Sequence, residues 1–408
     1  MPQIGVPYLL AISIPFHEDA GGDIWFDPLW HQDLMAHLDY VEDLILLAPR
    51  RRCTTATTGM IRWQTPPGRR VRFIAMPDPR RRATALLSLP CAAVVAWRAI
   101  GLAQIVHSGV AGWPLPIGMV VNPLAKWRGK PLVLVVESAF WRIQPGQKAR
   151  LPARILARIS EGFARWSLRQ ASLGIYTSQA YRDSLPVRPG RLAAVIPASW
   201  IQAGDVIPEE AARALWHDRP GPVSFLLPSR LEPEKGLGLA LEALRRLEAT
   251  ARPITVDVIG TGRLAAEVDA LASTCRHVAL RLLDPVPYGA PFLHLLRSYH
   301  GVIVPTTGDE QPRILYDAFS QSVPVIATAT AGNRQVVSHG KTGLLVPEND
   351  PFALGEALID ASIRPDDLRR MGLAAVHEAQ NQTHLAMHAR RAHLLQTLIE
   401  SQVRCPCP

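Results

Sequence analysis

Two carboxylates, Glu310 and Asp317, stand seven residues apart in the stretch GDEQPRILYDAFSQSVPVIAT, residues 308–328. Seven residues is two helical turns, so on a helix both groups point to one side, one at the helix start and one further in. Such a pair can grip one ligand. Two cations, Arg230 and Lys235, stand five apart in SRLEPEKG (229–236), and Gly236 opens a helical pattern. Fixed cations beside a helix N-terminus make an anion site of the size of a diphosphate. Each group also has a plain reading. Glu310 suits a helix start as an acid, and Glu232 and Glu234 can neutralise the two cations. Asp317 is four residues after Arg313, a surface pair worth about 0.3–0.5 kcal/mol.

Two further stretches belong with these. Pro312 fits the first turn of a helix, where its missing N–H costs nothing. The N–H groups of Arg313 and Ile314 then point out of the helix mouth, where an exposed charge gains about 0.3–1 kcal/mol. In VIGTGRL (258–264), Gly260 and Gly262 flank a strand-to-helix turn that lets backbone approach a phosphate or nucleoside closely. A tight turn alone accounts for that pattern equally well.

The elements that must position these residues are legible as alternating strands and helices. YLLAISIP (8–15), DLILLAP (43–49), VRFIAMP (71–77), AQIVHSG (103–109), PLVLVVES (131–138) and LGIYTS (173–178) are short apolar runs separated mostly by helical patterns. They predict a parallel sheet in the first half. Alternation restarts at VSFLLPSR (223–230) and continues to TGLLVPE (342–348). The expected class is α/β, with two doubly wound Rossmann-like domains facing a cleft. The expected boundaries are 1–202, a linker at 203–222, a second domain at 223–375, and a C-terminal helix at 376–408 that crosses back to the first domain and ends in a tail. Ligands of open parallel sheets bind beyond the carboxyl ends of the strands, where all the residues above fall.

Composition narrows the setting. The net charge of +9 is uneven: residues 1–202 hold 24 Lys and Arg against 12 Asp and Glu, and the remainder holds 20 against 23. A basic first half suits an anionic partner such as phospholipid, a lipid phosphate or nucleic acid, or is a solvated surface. It has no aromatic interleaving or docking motif for nucleic acid, so none is expected. Cys53, Cys91, Cys275, Cys405 and Cys407 are odd in number and lack zinc spacing, which predicts reduced thiols and a cytoplasmic protein. The N-terminus has no basic n-region and enters a strand almost at once, so no signal peptide is expected. The longest uncharged apolar run, Ala83–Trp97, contains Pro90 and is short for a bilayer span.

The second half, over about residues 223–375, resembles family 4 of the retaining nucleotide-sugar glycosyltransferases, which have the two-domain GT-B fold. SRLEPEKGLGLALEAL resembles the family's Arg-x-x-x-x-Lys-Gly segment. DEQPRILYDAFSQSVPVIATATAGNRQVV and GKTGLLVPENDPFALGEAL resemble its E-x7-E helix, its small-residue loop and its closing strand. The first half is similar more faintly, through Gly21 and Gly22 as a glycine loop near the donor phosphates and acceptor, and through His107 in IVHSG as a strand-end histidine. There are two departures. Asp317 stands where the second glutamate of E-x7-E holds the ribose, and Glu137 stands where many members have a catalytic histidine. Glu137 or His107 takes that role, or the site works without it.

The resemblance implies transfer of a sugar from a UDP- or GDP-type donor to an acceptor hydroxyl with retention, in bacterial polysaccharide or glycolipid assembly. Cofactor and metal are not expected. Arg230, Lys235 and the helix mouth would meet the charge of the leaving diphosphate, Glu310 would hold sugar hydroxyls, and Tyr288 in DPVPYG would contact the nucleobase. The acceptor is a glycan, a lipid-linked molecule or a small molecule. In KARLPARILARISEGFARWSLRQ (148–170) five arginines fall on one 100° arc beside an apolar face, a pattern for attachment to the anionic inner face of the plasma membrane or for an ordinary domain helix. Alternatives are an impaired homologue that binds a nucleotide sugar or scaffolds an assembly, and a nucleotide-sugar epimerase on the same fold.

Overall fold

Buried aliphatic runs become parallel strands in both halves of the chain. The computed structural model describes residues 1–53, 59–112, 114–143, 150–217, 219 and 222–404. Cys405, Cys407 and the start of the 148–170 segment therefore lie outside the described residues. The chain divides into unit 1, Met1–Pro197 with Met387 onward, and unit 2, Ala198–Ala386.

Unit 1 has strands β1 (Tyr8–Ala11), β2 (Phe16–Glu18), β3 (Ile24–Phe26), β4 (Asp43–Arg52), β5 (Ile61–Arg62), β6 (Arg70–Met76), β7 (Ile105–Gly109), β8 (Leu132–Val136), β9 (Leu173–Tyr176) and β10 (Leu192–Val195). Their order is β10-β9-β8-β7-β1-β4-β2-β3-β5, with β6 also paired to β4. The helices are α1 (Pro28–Leu38), α2 (Arg82–Leu102), α3 (Gly118–Trp127), α4 (Leu151–Gln170) and α5 (Gln179–Ser184). Strand alternation sorts the side chains into two cores. Leu9, Ile45 and Leu47 face α2, α3 and α4. Tyr8, Leu44 and Leu46 face α1 and the C-terminal helix, through Leu34 and Leu395.

Three features of unit 1 differ from the sequence reading. The first strand ends at Ala11, and the residues after it form the antiparallel pair β2–β3, which β5 extends. Such strands of two or three residues give too short a period to recognise. The apolar run at 83–97 is part of a longer helix, α2, which continues through Arg98 to Leu102 and is long and apolar enough to cross a membrane. In unit 1 it is the crossover between β6 and β7, with Ala92, Ala96 and Ala99 packed on the sheet. The sequence reading also passed over β10, whose LAAV is only partly buried.

Unit 2 contains α6 (Glu209–His217), β11 (Ser224–Pro228), α7 (Leu237–Ala249), β12 (Ile254–Ile259), α8 (Ala265–Thr274), β13 (Val278–Leu283), α9 (Ala290–Leu296), β14 (Gly301–Val304), α10 (Ile314–Ser320), β15 (Val325–Thr328), α11 (Ala331–Val336), β16 (Gly343–Val346), α12 (Pro351–Ile363) and α13 (Pro365–Gln380). A last helix, α14 (His384–Arg404), starts in unit 2 and belongs to unit 1 from Met387. The six strands are all parallel, in the order β13-β12-β11-β14-β15-β16. This is the doubly wound order, with helices on both faces. Phe225 and Leu227 enter one core and Leu226 the other. The stretch read as a linker, 203–222, includes α6. Its Ala212 and Trp216 are buried, and the Trp216 indole donates to the Ser322 carbonyl at 3.0 Å. Apolar residues at helical spacing give this segment a packing face of its own.

Candidate functional site

The strand order of unit 2 sets the site. Successive connections run one way from β11 to β13 and the other way from β14 to β16, so the crevice at their common origin lies beyond the carboxyl ends of β11 and β14. The loop after β11 carries Arg230 and a 3-10 turn, Pro233–Lys235, that ends on Gly236. Gly236 has φ 76°, the left-handed conformation that a Cβ disfavours. A Cβ there would also lie 1.6 Å from the Pro305 carbonyl oxygen, so the loops after β11 and β14 touch backbone to backbone. That contact brings Lys235 to Glu310, and the two form an ion pair, both partly exposed.

The turn after β12 is equally tight. Gly260 has φ 146°, and a Cβ on it would meet the Ser229 carbonyl at 1.9 Å. Gly262, at φ 156°, abuts Leu231 in the same way. Close packing of the two loops leaves a hollow of about 810 Å³, counting its open mouth. Arg230, Gly260, Thr261, Tyr288 and Phe292 line it. Arg230 is exposed and has no carboxylate in ion-pair range among the described residues. The neutralising partner expected in Glu232 is committed elsewhere, to Arg263 at 2.6 Å.

Tyr288 connects the hollow to α10. Its ring stacks on Phe292 at 6.1 Å and its hydroxyl donates to Asp317 Oδ1 at 2.8 Å. Asp317 is only 4% exposed. Burial pushes its carboxyl up to about 7, against the opposing pull of the Tyr288 hydrogen bond and the Arg313 charge. The same burial and the adjacent carboxylate raise the Tyr288 phenol. The surface pair of Arg313 with Asp317 does not form. Arg313 lies over the Trp200 ring instead, 4.9 Å from its centre.

Helix α10 is shorter than predicted. It begins at Ile314 with Arg313 as its cap residue and runs for seven residues, so Pro312 stands ahead of its first turn rather than in it. Little dipole accumulates over so short a segment, and Lys235 and Arg230 carry the positive charge of the site.

The loop holding Glu310 is fastened by residues that sequence reading missed. Gln311 is buried, and its amide makes two hydrogen bonds with the Ala198 backbone, at 2.9 and 3.1 Å. Asn333, on α11, donates to the Thr306 hydroxyl at 3.1 Å and to the Thr328 carbonyl at 2.7 Å. These polar groups have no spacing signal of their own. The one available hint is that Asn333 follows the small pair Ala331-Gly332 directly after a strand.

Unit 1 places its candidates differently. Gly21 and Gly22 are exposed in the turn of the β2–β3 hairpin, not in a strand-to-helix loop, and the Asp19 carboxylate holds that turn by accepting from Gly21 and Asp23, each at 2.9 Å. The extra hairpin is the reason for the change. His107 is in mid-strand, in register with Leu10 and Val133, rather than at the strand end. It is 7% exposed, with Nδ1 2.6 Å from the Tyr8 hydroxyl. Burial holds its pKa well below the ordinary range, with the nearby His37 and Arg391 acting in the same direction. Glu137 follows β8, is largely exposed, and lies 3.9 Å from the buried Arg391. Of the thirteen candidate residues, unit 2 thus gathers Arg230, Gly260 and Tyr288 on one hollow, ties Asp317 to it through Tyr288, and pairs Lys235 with Glu310.

The fold is of the GT-B type: the structure of HepE from Anabaena in complex with UDP and glucose covers 96% of this chain and 99% of its own at a TM-score of 0.64, with 16% identity. Within the fold, residues 222–362, a segment of unit 2, match the family Glycosyl transferases group 1. A D-inositol 3-phosphate glycosyltransferase of Frankia alni is 26% identical over 65% of this chain and 65% of its own length. An amylovoran biosynthesis glycosyltransferase (AmsK) of Erwinia amylovora is 28% identical over 43% of this chain and 44% of its own. The chain thus spans less than two thirds of the length of either relative.

Proposed function

We propose that the chain is a glycosyltransferase that moves a sugar from a nucleotide-diphosphate sugar to an acceptor hydroxyl with retention of configuration, in the assembly of a polysaccharide or glycolipid. One observation carries the reading: the switch-point hollow of unit 2 has an exposed cation, close backbone and an aromatic ring on its wall, with a lysine–glutamate pair in the adjoining loops. In the reaction the bond between the anomeric carbon and the phosphate oxygen breaks, and the electron pair leaves with the diphosphate. The acceptor oxygen bonds to that carbon and its proton passes to the leaving phosphate. Arg230 and Lys235 meet the charge that develops on the diphosphate, a task in which fixed charges in a partly desolvated site act strongly. Lys235 exchanges Glu310 for phosphate when the donor binds, which frees Glu310 to accept hydrogen bonds from sugar hydroxyls. Tyr288 offers its face to the base, and Asp317 holds Tyr288.

Support for a UDP-type donor comes from the HepE structure, which holds UDP and glucose. Support for an acceptor in polysaccharide assembly comes from the name of the amylovoran relative, and support for a small-molecule acceptor from that of the inositol 3-phosphate relative. The chain's own cations supply the charge that a divalent ion would otherwise provide, and a cytoplasmic setting matches a supply of nucleotide sugars. Calorimetric titration with UDP-, GDP- and ADP-sugars tests the reading, followed by NMR of the product's anomeric proton. One donor binds and Lys235→Ala weakens it. No binding by any donor, or an inverted product, overturns it.

A second reading has one observation in its favour. His107 is buried in mid-strand with its ring against the Tyr8 hydroxyl, so it is not presented to a donor there. In that reading the chain binds the donor without transferring it. Donor binding with no product over a panel of acceptors distinguishes the two.

A further inference from the structure

Among the described residues, sixteen large hydrophobic side chains are exposed, and nine of them lie on three consecutive helices of unit 1, α2, α3 and α4. These helices pack side by side on one face of the sheet, sharing its core. Their outer surfaces are continuous. Trp97 of α2 meets Trp127 of α3 at 5.2 Å between ring centres, and Lys126 of α3 lies 5.9 Å from the ring of Trp166 on α4.

Helix α2 is the unusual one. An apolar helix of this kind is normally enclosed, yet only 28% of its most apolar stretch is buried. Its outward stripe, Leu87–Cys91–Val94–Arg98–Leu102, contains one charge, and Leu87 is 83% exposed. Its inner face is committed to the sheet, so the helix lies along a surface and does not leave the unit to span one. Helix α4 repeats the arrangement with more charge. Leu151, Ile155 and Ile159 are exposed, where a domain helix would have turned them into the core, and Arg154 and Arg158 beside them have no carboxylate partner among the described residues. The three helices together hold seven Lys and Arg against one acid, Glu161. Arg128 stacks on Trp97 at 3.7 Å, an aromatic and a cation side by side at the α2–α3 junction.

We propose that the outer face of α2, α3 and α4 is a docking surface for an anionic lipid bilayer, with Leu87, Val94, Ile155 and Ile159 entering the acyl boundary. The arginines then meet the headgroup phosphates, and the tryptophans lie at the interface between the two. Charge decides the occupant: a second copy of this chain would bring the same cationic face against itself, whereas an anionic membrane offsets it. The inference extends the 148–170 pattern to a whole face of unit 1 and does not depend on the donor site of unit 2.

The test is flotation of the full chain with vesicles of phosphatidylcholine alone and of phosphatidylcholine mixed equally with phosphatidylglycerol. The chain floats with the mixed vesicles and at least about tenfold less with the neutral ones or in high salt. Leu87→Glu with Val94→Glu, and Ile155→Glu with Ile159→Glu, each reduce flotation about tenfold or more, as does Arg154→Gln with Arg158→Gln. Thermal unfolding stays unchanged in all three, because the altered side chains are exposed. Equal flotation of the variants and the parent, or none with either vesicle, overturns the proposal. So does a concentration-dependent dimer, seen by light scattering, that the Leu87→Glu and Val94→Glu pair abolishes.

Discussion

Unit 1 encloses His37, His107 and His388 between sheet and helices, whereas unit 2 sets Arg230, Lys235 and Glu310 in loops beyond its strand ends. The His107 ring touches the Tyr8 hydroxyl, and His388 Nε2 lies 3.1 Å from Asp33 Oδ1. Burial drives His388 down to about 3. In unit 2 the cations of the site stay near water, and Asp317, an acid drawn inside on α10, moves the other way, up to about 7. Enclosure separates the two cases. A polar side chain shut between sheet and helices loses its hydration, which disfavours the charged form unless a partner offsets it, as Arg281 does for Asp257 at 2.7 Å, while one in a loop at the strand ends remains available to a ligand.

The largest expected effect that sharpens this contrast is at Lys235. Lys235→Ala lowers the transfer rate by about two to three decades, corresponding to about 2.7–4 kcal/mol of barrier, with little change in melting temperature. The matching change in unit 1, His107→Ala, does the reverse. It leaves the Tyr8 hydroxyl buried without its partner, costs about 1–3 kcal/mol of stability measured in denaturant, and leaves donor affinity intact. Equal loss of donor binding in both variants would break the contrast.

Tyr288→Phe comes next. It removes the hydroxyl that donates to Asp317 and costs about 1.5–3 kcal/mol in local stability, read as faster hydrogen exchange in α10. It also raises the Asp317 pKa further, which an NMR titration of the carboxyl detects. Unchanged exchange and an unchanged titration would mean that the bond contributes nothing.

The two units also respond to pH with opposite sign. His388 has an ordinary value of 6.5 and about 3 when folded, so between these values the unfolded chain holds more protons and stability falls as the pH falls. Asp317 has an ordinary value of 3.8 and about 7 when folded, so the folded chain holds more protons and its contribution is lost as the pH rises toward 7. Each group contributes a slope of at most about 1.4 kcal/mol per pH unit. From pH 7 to 5, amide protection therefore falls around His388 and rises around Asp317. The smallest expected effect is at Gln311, where Gln311→Ala removes two hydrogen bonds to Ala198 and costs about 1–2 kcal/mol, with a modest loss of rate as Glu310 loosens.

Much of unit 2 was legible because β11, β14 and β15 are largely buried and read as short apolar runs, and because Gly236, Gly260 and Gly262 mark the turns that follow strands. The cations and acids of its site could be found for the same reason, since each follows a strand at short range. Unit 1 was less transparent. The hairpin β2–β3 consists of two three-residue strands, so Gly21 and Gly22 looked like a strand-to-helix loop. The burial of His107 depends on α1 and on α14, which is nearly three hundred residues away in sequence. Gln311, Asn333 and Trp200 act through contacts that no local period records. The exposed apolar face of α2 was hidden for another reason: a run of Leu, Val and Ala reads as core, and only the packed sheet shows which side is left over.

The backbone contact between Gly236 and Pro305 stitches the lysine-bearing and glutamate-bearing loops into one block. Side chains of graded size at position 236 would act as a set of spacers, prising those loops apart while every ionisable group stays in place. Such a series turns a chemical question into a metrical one: how far the ammonium may drift from its partner before turnover fails.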